Sequence, residues 1–193
     1  QHPFRFPVQW VNRPNADFRG YSGTVVAGSI EKGQQLRVVP SGETAAVKDI
    51  VLSTSSLNRA VADQAVTITL DKEIDISRGD VLVAAEEPCE VSDQFEVTLV
   101  WMDQEPGFIG RSYWLLLGTS RVNATITSIK FKYDINKFEK LSSDSMGLND
   151  IGELNLSLDK PIAFETYKDC KGMGGFVLID RYSHATVGAG MIN

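Results

Sequence analysis

The sequence predicts an all-β protein built as two consecutive antiparallel β-barrels. Three observations predict it. Apolar residues recur at every second position in several segments, no long stretch keeps helical spacing, and an acidic, proline-containing break falls near the middle. Alternation puts one row of side chains on a core and the other in water, as in antiparallel strands with one buried face. Short strands separated by Gly, Pro, Asn and Ser point to barrels or sandwiches.

The elements follow in order. Phe18 to Leu36 reads FRGYSGTVVAGSIEKGQQL, with glycines at 20, 23, 28 and 33. Gly20 and Gly23 are expected within or beside a strand, where glycine permits a bulge or a close backbone approach. Gly28 and Gly33 flank Ser-Ile-Glu-Lys, the connection to a strand at Gln35 to Val39, and Pro40-Ser41-Gly42 makes the turn after it. Val66, Ile68 and Leu70 alternate with Thr67 and Thr69 in a further strand. Glu86-Glu87-Pro88-Cys89-Glu90 is the seam, which places one barrel at residues 1–87 and the other at 90–193. In the second half, Phe95, Val97, Leu99 and Trp101 alternate with polar residues until Val100. Ile129, Phe131, Tyr133 and Ile135 repeat the pattern, as do Leu154, Leu156 and Leu158. Asn136 to Leu141 is expected to form a turn of helix and no more.

Composition bounds the function. The 193 residues are 42% hydrophobic and 23% charged, enough for a substantial core. No apolar run approaches the ~20 residues of a membrane-spanning helix. The net charge is −6, with 9 Lys+Arg against 11 Asp+Glu before Cys89 and 10 against 14 from Cys89 onward. Two acidic halves argue against a large nucleic-acid footprint. Two cysteines, Cys89 and Cys170, make no disulfide framework, and a reduced cytoplasm is the simpler expectation. The chain opens Gln-His-Pro-Phe with no initiator Met or signal pattern, as expected of a piece of something longer.

No motif carries chemistry cleanly. Gly20-Tyr21-Ser22-Gly23 falls short of a nucleophile elbow because position 24 is Thr, and reads as a strand-corner serine. Two His and two Cys lie far apart without zinc-site spacing, and His184 reads as a turn residue. Arg78-Gly79-Asp80 reads as a turn feeding a strand. Asn123-Ala124-Thr125 and Asn155-Leu156-Ser157 match glycosylation sequons with no support for secretion. The sequence contains no Gly-x-x-x-x-Gly-Lys-Ser/Thr, and Asn136-Lys137-Phe138-Glu139 reads as a surface turn rather than a guanine reader. Gly172-Met173-Gly174-Gly175 precedes a strand and so cannot hold phosphate at a helix N-terminus. Trp101, Trp114, Tyr113 and Phe131 are expected to serve packing rather than base stacking.

The order of several segments is more specific than any one of them. Phe4-Arg5-Phe6-Pro7-Val8-Gln9, Arg13-Pro14 and Asp17-Phe18-Arg19-Gly20-Tyr21-Ser22-Gly23 open the series. Glu73-Ile74-Asp75-Ile76-Ser77-Arg78-Gly79-Asp80-Val81 closes the first half. Leu99-Val100-Trp101-Met102, Gly110-Arg111-Ser112-Tyr113, Leu148-Asn149-Asp150-Ile151-Gly152, Ile179-Asp180-Arg181 and Thr186-Val187-Gly188-Ala189-Gly190-Met191-Ile192 follow. Together they resemble the region after the GTPase domain in the sulfate adenylyltransferase subunit 1 family, the regulatory GTPases of bacterial ATP sulfurylase. That family sits within the elongation-factor-Tu-like superfamily. The pattern departs at Cys170 and His184, where the family usually has Asn, and at Met173, where it has Thr.

The resemblance implies two barrels like domains 2 and 3 of that superfamily, without the GTPase domain that would hold GTP and Mg. It implies no cofactor in this chain, a separate catalytic sulfate adenylyltransferase subunit as partner, and the GTPase domain as second partner. The barrels would relay nucleotide state without catalysing; in some relatives a kinase domain follows them. Arg19, Arg78 and Asp80, at barrel turns within the matching segments, are the candidate interface residues; the alternative for each is a local ion pair or turn hydrogen bond. Two other readings compete: a translation-factor-like barrel pair that binds tRNA, which the charge disfavours, and a free-standing β-barrel enzyme.

Overall fold

The computed structural model describes residues 2–15, 18–134, 136 and 139–193. Asp17, Ile135, Lys137 and Phe138, which figure in the segments above, lie outside the described residues. The chain divides into two compact units, Gln1–Val91 and Ser92–Asn193.

The first unit contains β1 (Arg5–Pro7), β2 (Trp10–Asn15), β3 (Phe18–Thr24), β4 (Ser29–Glu31), β5 (Gln35–Val39) and β6 (Thr44–Leu52). After these come β7 (Ser55–Leu57), β8 (Arg59–Val61), β9 (Ala65–Leu70) and β10 (Val81–Ala84). The main sheet runs β1-β10-β5-β6-β9-β3-β2 and is antiparallel throughout. Its two ends are one stretch of chain, because only Val8 and Gln9 separate β1 from β2. The Val8 amide donates to the Asp80 carbonyl at 2.8 Å and the Gln9 amide to the Ser22 carbonyl at 2.9 Å, so hydrogen bonding continues around a ring. Closure removes the unpaired edges of an open sheet.

Phe4, Phe6, Val8, Tyr21, Leu36, Ile50, Ile68 and Leu82 fill this ring, each at most 2% exposed. Each such apolar side chain contributes about 1.5–3 kcal/mol when fully buried. The glycine-spaced opening stretch is barrel wall: a Cβ on Gly23 would stand 2.5 Å from the Pro7 carbonyl oxygen, so β1 and β3 meet there only through glycine. The expected connection after Gly28 also contains a short strand, because Ser29–Glu31 pairs with Arg59–Val61.

The second unit contains β11 (Glu90–Trp101), β12 (Gly107–Phe108), β13 (Ser112–Leu117), β14 (Ser120–Asp134), β15 (Glu139–Leu141) and β16 (Ser145–Met146). It ends with β17 (Ile151–Phe164), α1 (Lys171–Gly174), β18 (Gly175–Ile179) and β19 (Thr186–Ile192). Six strands close a barrel in the order β13-β18-β19-β11-β17-β14, with β14 returning to β13. Phe95, Val97, Leu99, Trp101, Leu154, Leu156 and Leu158 all face its core, as their alternation predicts.

Three expectations need correction. The expected helical turn at Asn136 to Leu141 is replaced, over its last three residues, by β15, which pairs with Lys132 to Asp134. The helical turn lies instead at Lys171–Gly174, so three residues of the Gly172-Met173-Gly174-Gly175 run are helical and only Gly175 begins the strand. The alternation of Ile129, Phe131 and Tyr133 also fades: Ile129 is buried, Phe131 half-buried and Tyr133 exposed. Register shifts between Ile126 and Ser128 and between Ile129 and Phe131 explain this, since each bulge turns the following side chains over.

Candidate functional site

The connection from Asp71 to Asp80 crosses the rim of the first barrel, and all three candidate interface residues are fastened to it. Arg19, on β3, donates from Nη1 to the Ile74 carbonyl at 3.2 Å, and its Nη2 lies 4.0 Å from an exposed Glu73 carboxylate. An ion pair this long and this wet contributes little. The Tyr21 hydroxyl, 3.4 Å from the same carbonyl, lies beneath; burial pushes its pKa up while the Arg19 guanidinium opposes the shift. Arg78 donates from Nη1 to the Gln9 carbonyl at 2.8 Å. The Asp80 carboxylate accepts from the Ser77 amide at 2.9 Å, and the Gly79 amide donates to the Val8 carbonyl at 3.0 Å.

Arg78-Gly79-Asp80 is therefore a turn that clamps the β1–β2 junction. Arg78→Ala removes one hydrogen bond, at about 0.5–1.5 kcal/mol, and should loosen this turn first. Hydrogen exchange read residue by residue checks it: the Val8 and Gly79 amides speed up while the Ile50 and Ile68 amides do not.

The other sequence candidates fall into structural roles. The Ser22 hydroxyl pairs across strands with that of Thr67 at 2.7 Å. His184 sits in a turn with φ at +63°, its amide bonded to the Asp180 carbonyl at 3.0 Å. Neither Cys89 nor Cys170 forms a disulfide. Cys170 and Met173, two of the departures from the family pattern, are buried.

Leu148-Asn149-Asp150-Ile151-Gly152 contains no motif of known chemistry, but its place in the fold is specific. The segment forms a cap over Trp101. The Trp101 amide donates to the Asp150 carbonyl and the Asn149 amide to the Trp101 carbonyl, both at 2.9 Å. The Asp150 carboxylate accepts from Lys132 Nζ at 2.8 Å and from the Gly147 amide at 2.7 Å. The signal was present in the sequence: Asn149, at φ +67°, is a residue type that tolerates the left-handed turn required here.

Partial burial alone would raise the Asp150 pKa, but the Lys132 ammonium and the Gly147 N–H outweigh it and hold the carboxyl below its usual value. On acidification the unfolded chain then takes up its proton first. The stabilisation is full above the ordinary carboxylate pKa, about 3.9, and is lost as pH falls through the lower native value. Asp150→Asn should cost about 1–3 kcal/mol at neutral pH and leave a shallower loss of stability below about pH 4. Urea titrations of both proteins from pH 7 to pH 2 read this directly.

Among the described residues no helix is long and apolar enough to cross a membrane. Comparison with known proteins agrees with the barrel geometry. The chain is 45% identical over 190 residues to sulfate adenylyltransferase subunit 1 of Laribacter hongkongensis (strain HLHK9), covering 98% of this chain and 40% of that protein. It is 47% identical over 190 residues to the subunit of the same name from Chromobacterium violaceum, with the same coverages. It is 46% identical over 190 residues to the bifunctional enzyme NodQ of Rhizobium sp. (strain N33), covering 98% of this chain and 29% of that one. The chain thus spans 29% to 40% of the length of these relatives. In fold it is similar to Sup35 in a crystal structure with GDP, at a TM-score of 0.89, 20% identity, and coverage of 98% of this chain and 47% of that one. Residues 94–193 match the family model described as GTP-eEF1A C-terminal domain-like, and the chain belongs to that family.

Proposed function

We propose that this chain is the non-catalytic barrel pair of a GTP-regulated sulfate adenylyltransferase subunit. The observation that carries the reading is the even likeness, near 45% identity over 98% of the chain, to proteins named sulfate adenylyltransferase subunit 1. In this reading the whole enzyme joins ATP and sulfate into adenosine 5′-phosphosulfate and pyrophosphate in the cytoplasm, for sulfate assimilation and cysteine biosynthesis. A separate catalytic subunit performs the adenylyl transfer. GTP and Mg belong to a GTPase domain outside these residues, and no residue of this chain is assigned to hold either. The barrels dock on the catalytic subunit and relay the nucleotide state of the GTPase domain. A closed sheet suits that task because it moves as one rigid body.

A competition assay tests the reading. Excess purified chain added to a reconstituted full-length two-subunit enzyme should lower adenosine 5′-phosphosulfate formation, and further catalytic subunit should restore it. The chain alone should turn over neither GTP nor ATP with sulfate. Unchanged output at a large molar excess of the chain would contradict docking, and turnover by the chain alone would contradict the non-catalytic role.

A further inference from the structure

The register of the second barrel leaves a row of apolar side chains on its outer wall. Trp114 stands opposite Ile179 and Leu116 opposite Val177; Val177 stands opposite Ala189, and Ala189 opposite Val100. The row crosses four consecutive strands, β13, β18, β19 and β11. The residues between them, Tyr113, Leu115 and Leu178, fill the core. The pleat therefore turns Trp114, Leu116, Val177 and Ile179 outward, where they are half-buried, and leaves Val100 exposed. The solvent face of an antiparallel sheet ordinarily reads polar, and a contiguous apolar patch framed by charge marks an interaction surface.

The charge is present at one edge. Of the three arginines in residues 92–193, Arg121 and Arg181 lie on Trp114, on the outer wall, whereas Arg111 lies on Tyr113, which faces the core. The Cζ atoms of Arg121 and Arg181 lie 4.2 and 5.1 Å from the centre of the Trp114 ring, and that of Arg111 lies 5.8 Å from the Tyr113 ring. A guanidinium over an indole is held by its face and keeps its N–H edge free. Among the described residues the side chains of Arg121 and Arg181 make no hydrogen bond or ion pair. Nearby Asp180 is already committed, its Oδ1 accepting from the amides of Tyr182 and Ser183 at 2.8 and 2.9 Å. Two like charges on one ring repel, and an incoming carboxylate relieves that repulsion while forming charge-assisted hydrogen bonds.

We propose that the β13–β18–β19–β11 wall is a docking surface for a folded protein partner. That partner sets carboxylates against Arg121 and Arg181 and an apolar centre against Trp114, Leu116, Val177 and Ile179. Aromatic and Arg anchors around an apolar centre are the usual composition of a strong protein interface. A phosphate backbone would use the arginines and leave the apolar row unmatched. A second copy of the chain brings another net charge of −6, which opposes self-association. The identity of the partner, the catalytic subunit, rests on the function proposed above.

The test uses fluorescently labelled catalytic sulfate adenylyltransferase subunit, titrated with the chain and read by anisotropy. Three proteins are compared: wild type, Arg121→Glu/Arg181→Glu, and Leu116→Asp, each shown by its melting curve to be folded. Wild type should bind saturably and each variant about 10–100-fold more weakly. The gap for the arginine variant should narrow at high salt, because exposed charges are screened. Equal affinities for all three would overturn this surface and leave the docking reading standing, whereas no binding by wild type would remove both. Binding of tRNA on a low-salt filter, lost in the arginine variant, would reassign the surface to nucleic acid. Dimerisation of wild type, lost in the same variant, would reassign it to a second copy.

Discussion

Trp101→Ala will destabilise the second barrel by about 3–5 kcal/mol, the cost of emptying the space of a fully packed large aromatic. Trp101 is 1% exposed and packs edge to face on Tyr113 with ring centroids 5.5 Å apart. Its indole N–H donates to the Glu105 carbonyl at 2.8 Å, which tethers the connection after β11. Its backbone carries both hydrogen bonds of the Asn149–Asp150 cap. One substitution therefore opens a cavity and leaves the Glu105 carbonyl unpartnered, while alanine keeps the backbone groups that bond the cap. Trp101→Phe should recover part of the loss, because the ring contact returns while the hydrogen bond does not. Urea denaturation of both variants reads the difference; a loss under 1 kcal/mol for Trp101→Ala would show that the cap and the connection hold without the indole.

Gly28→Ala will be comparably severe in the first barrel although it adds a single methyl group. Gly28 has φ +70°, and a Cβ there would stand 2.5 Å from the Phe4 nitrogen and the Pro3 carbonyl carbon. The left-handed conformation costs an L-residue about 1–2 kcal/mol, and overpacking against backbone about 1–3 kcal/mol more. Gly42 separates the two causes. It has φ +89° but open space around its Cβ position, so Gly42→Ala bears the conformational cost alone. Urea denaturation should rank Gly28→Ala well below Gly42→Ala. Equal losses would mean that the chain at His2 to Phe4 moves aside freely.

Alternation made the core legible before the fold was seen. Phe95 to Trp101 and Leu154 to Leu158 are strands with one buried face, and period two is all such strands need. The same rule misleads along β14, because bulges leave no mark in hydrophobicity and turn Tyr133 out to solvent. Lys171–Gly174 carries no helical signal because one turn is too short to show a 3.6-residue period. The rim was legible as turns but not as contacts. Arg19 and Ile74 are 55 residues apart in sequence, and only the closed ring brings them together. The outer wall was the least legible. Trp114 reads as core from its neighbours Tyr113 and Leu115, but it lies on the outer face, cross-strand from Ile179, whereas Trp101 and Tyr113 lie in the core. Only cross-strand register joins Trp114 to Ile179, and only the fold carries Arg121 and Arg181 onto the same ring.

The most direct test of the account is calorimetric titration of the catalytic sulfate adenylyltransferase subunit into this chain without nucleotide. Saturable heat at a stoichiometry of one to one is the expected result, because the proposed docking surface lies on the second barrel. An absence of heat up to high micromolar concentration, at two temperatures, would contradict it and assign the contact to the GTPase domain or its bound GTP.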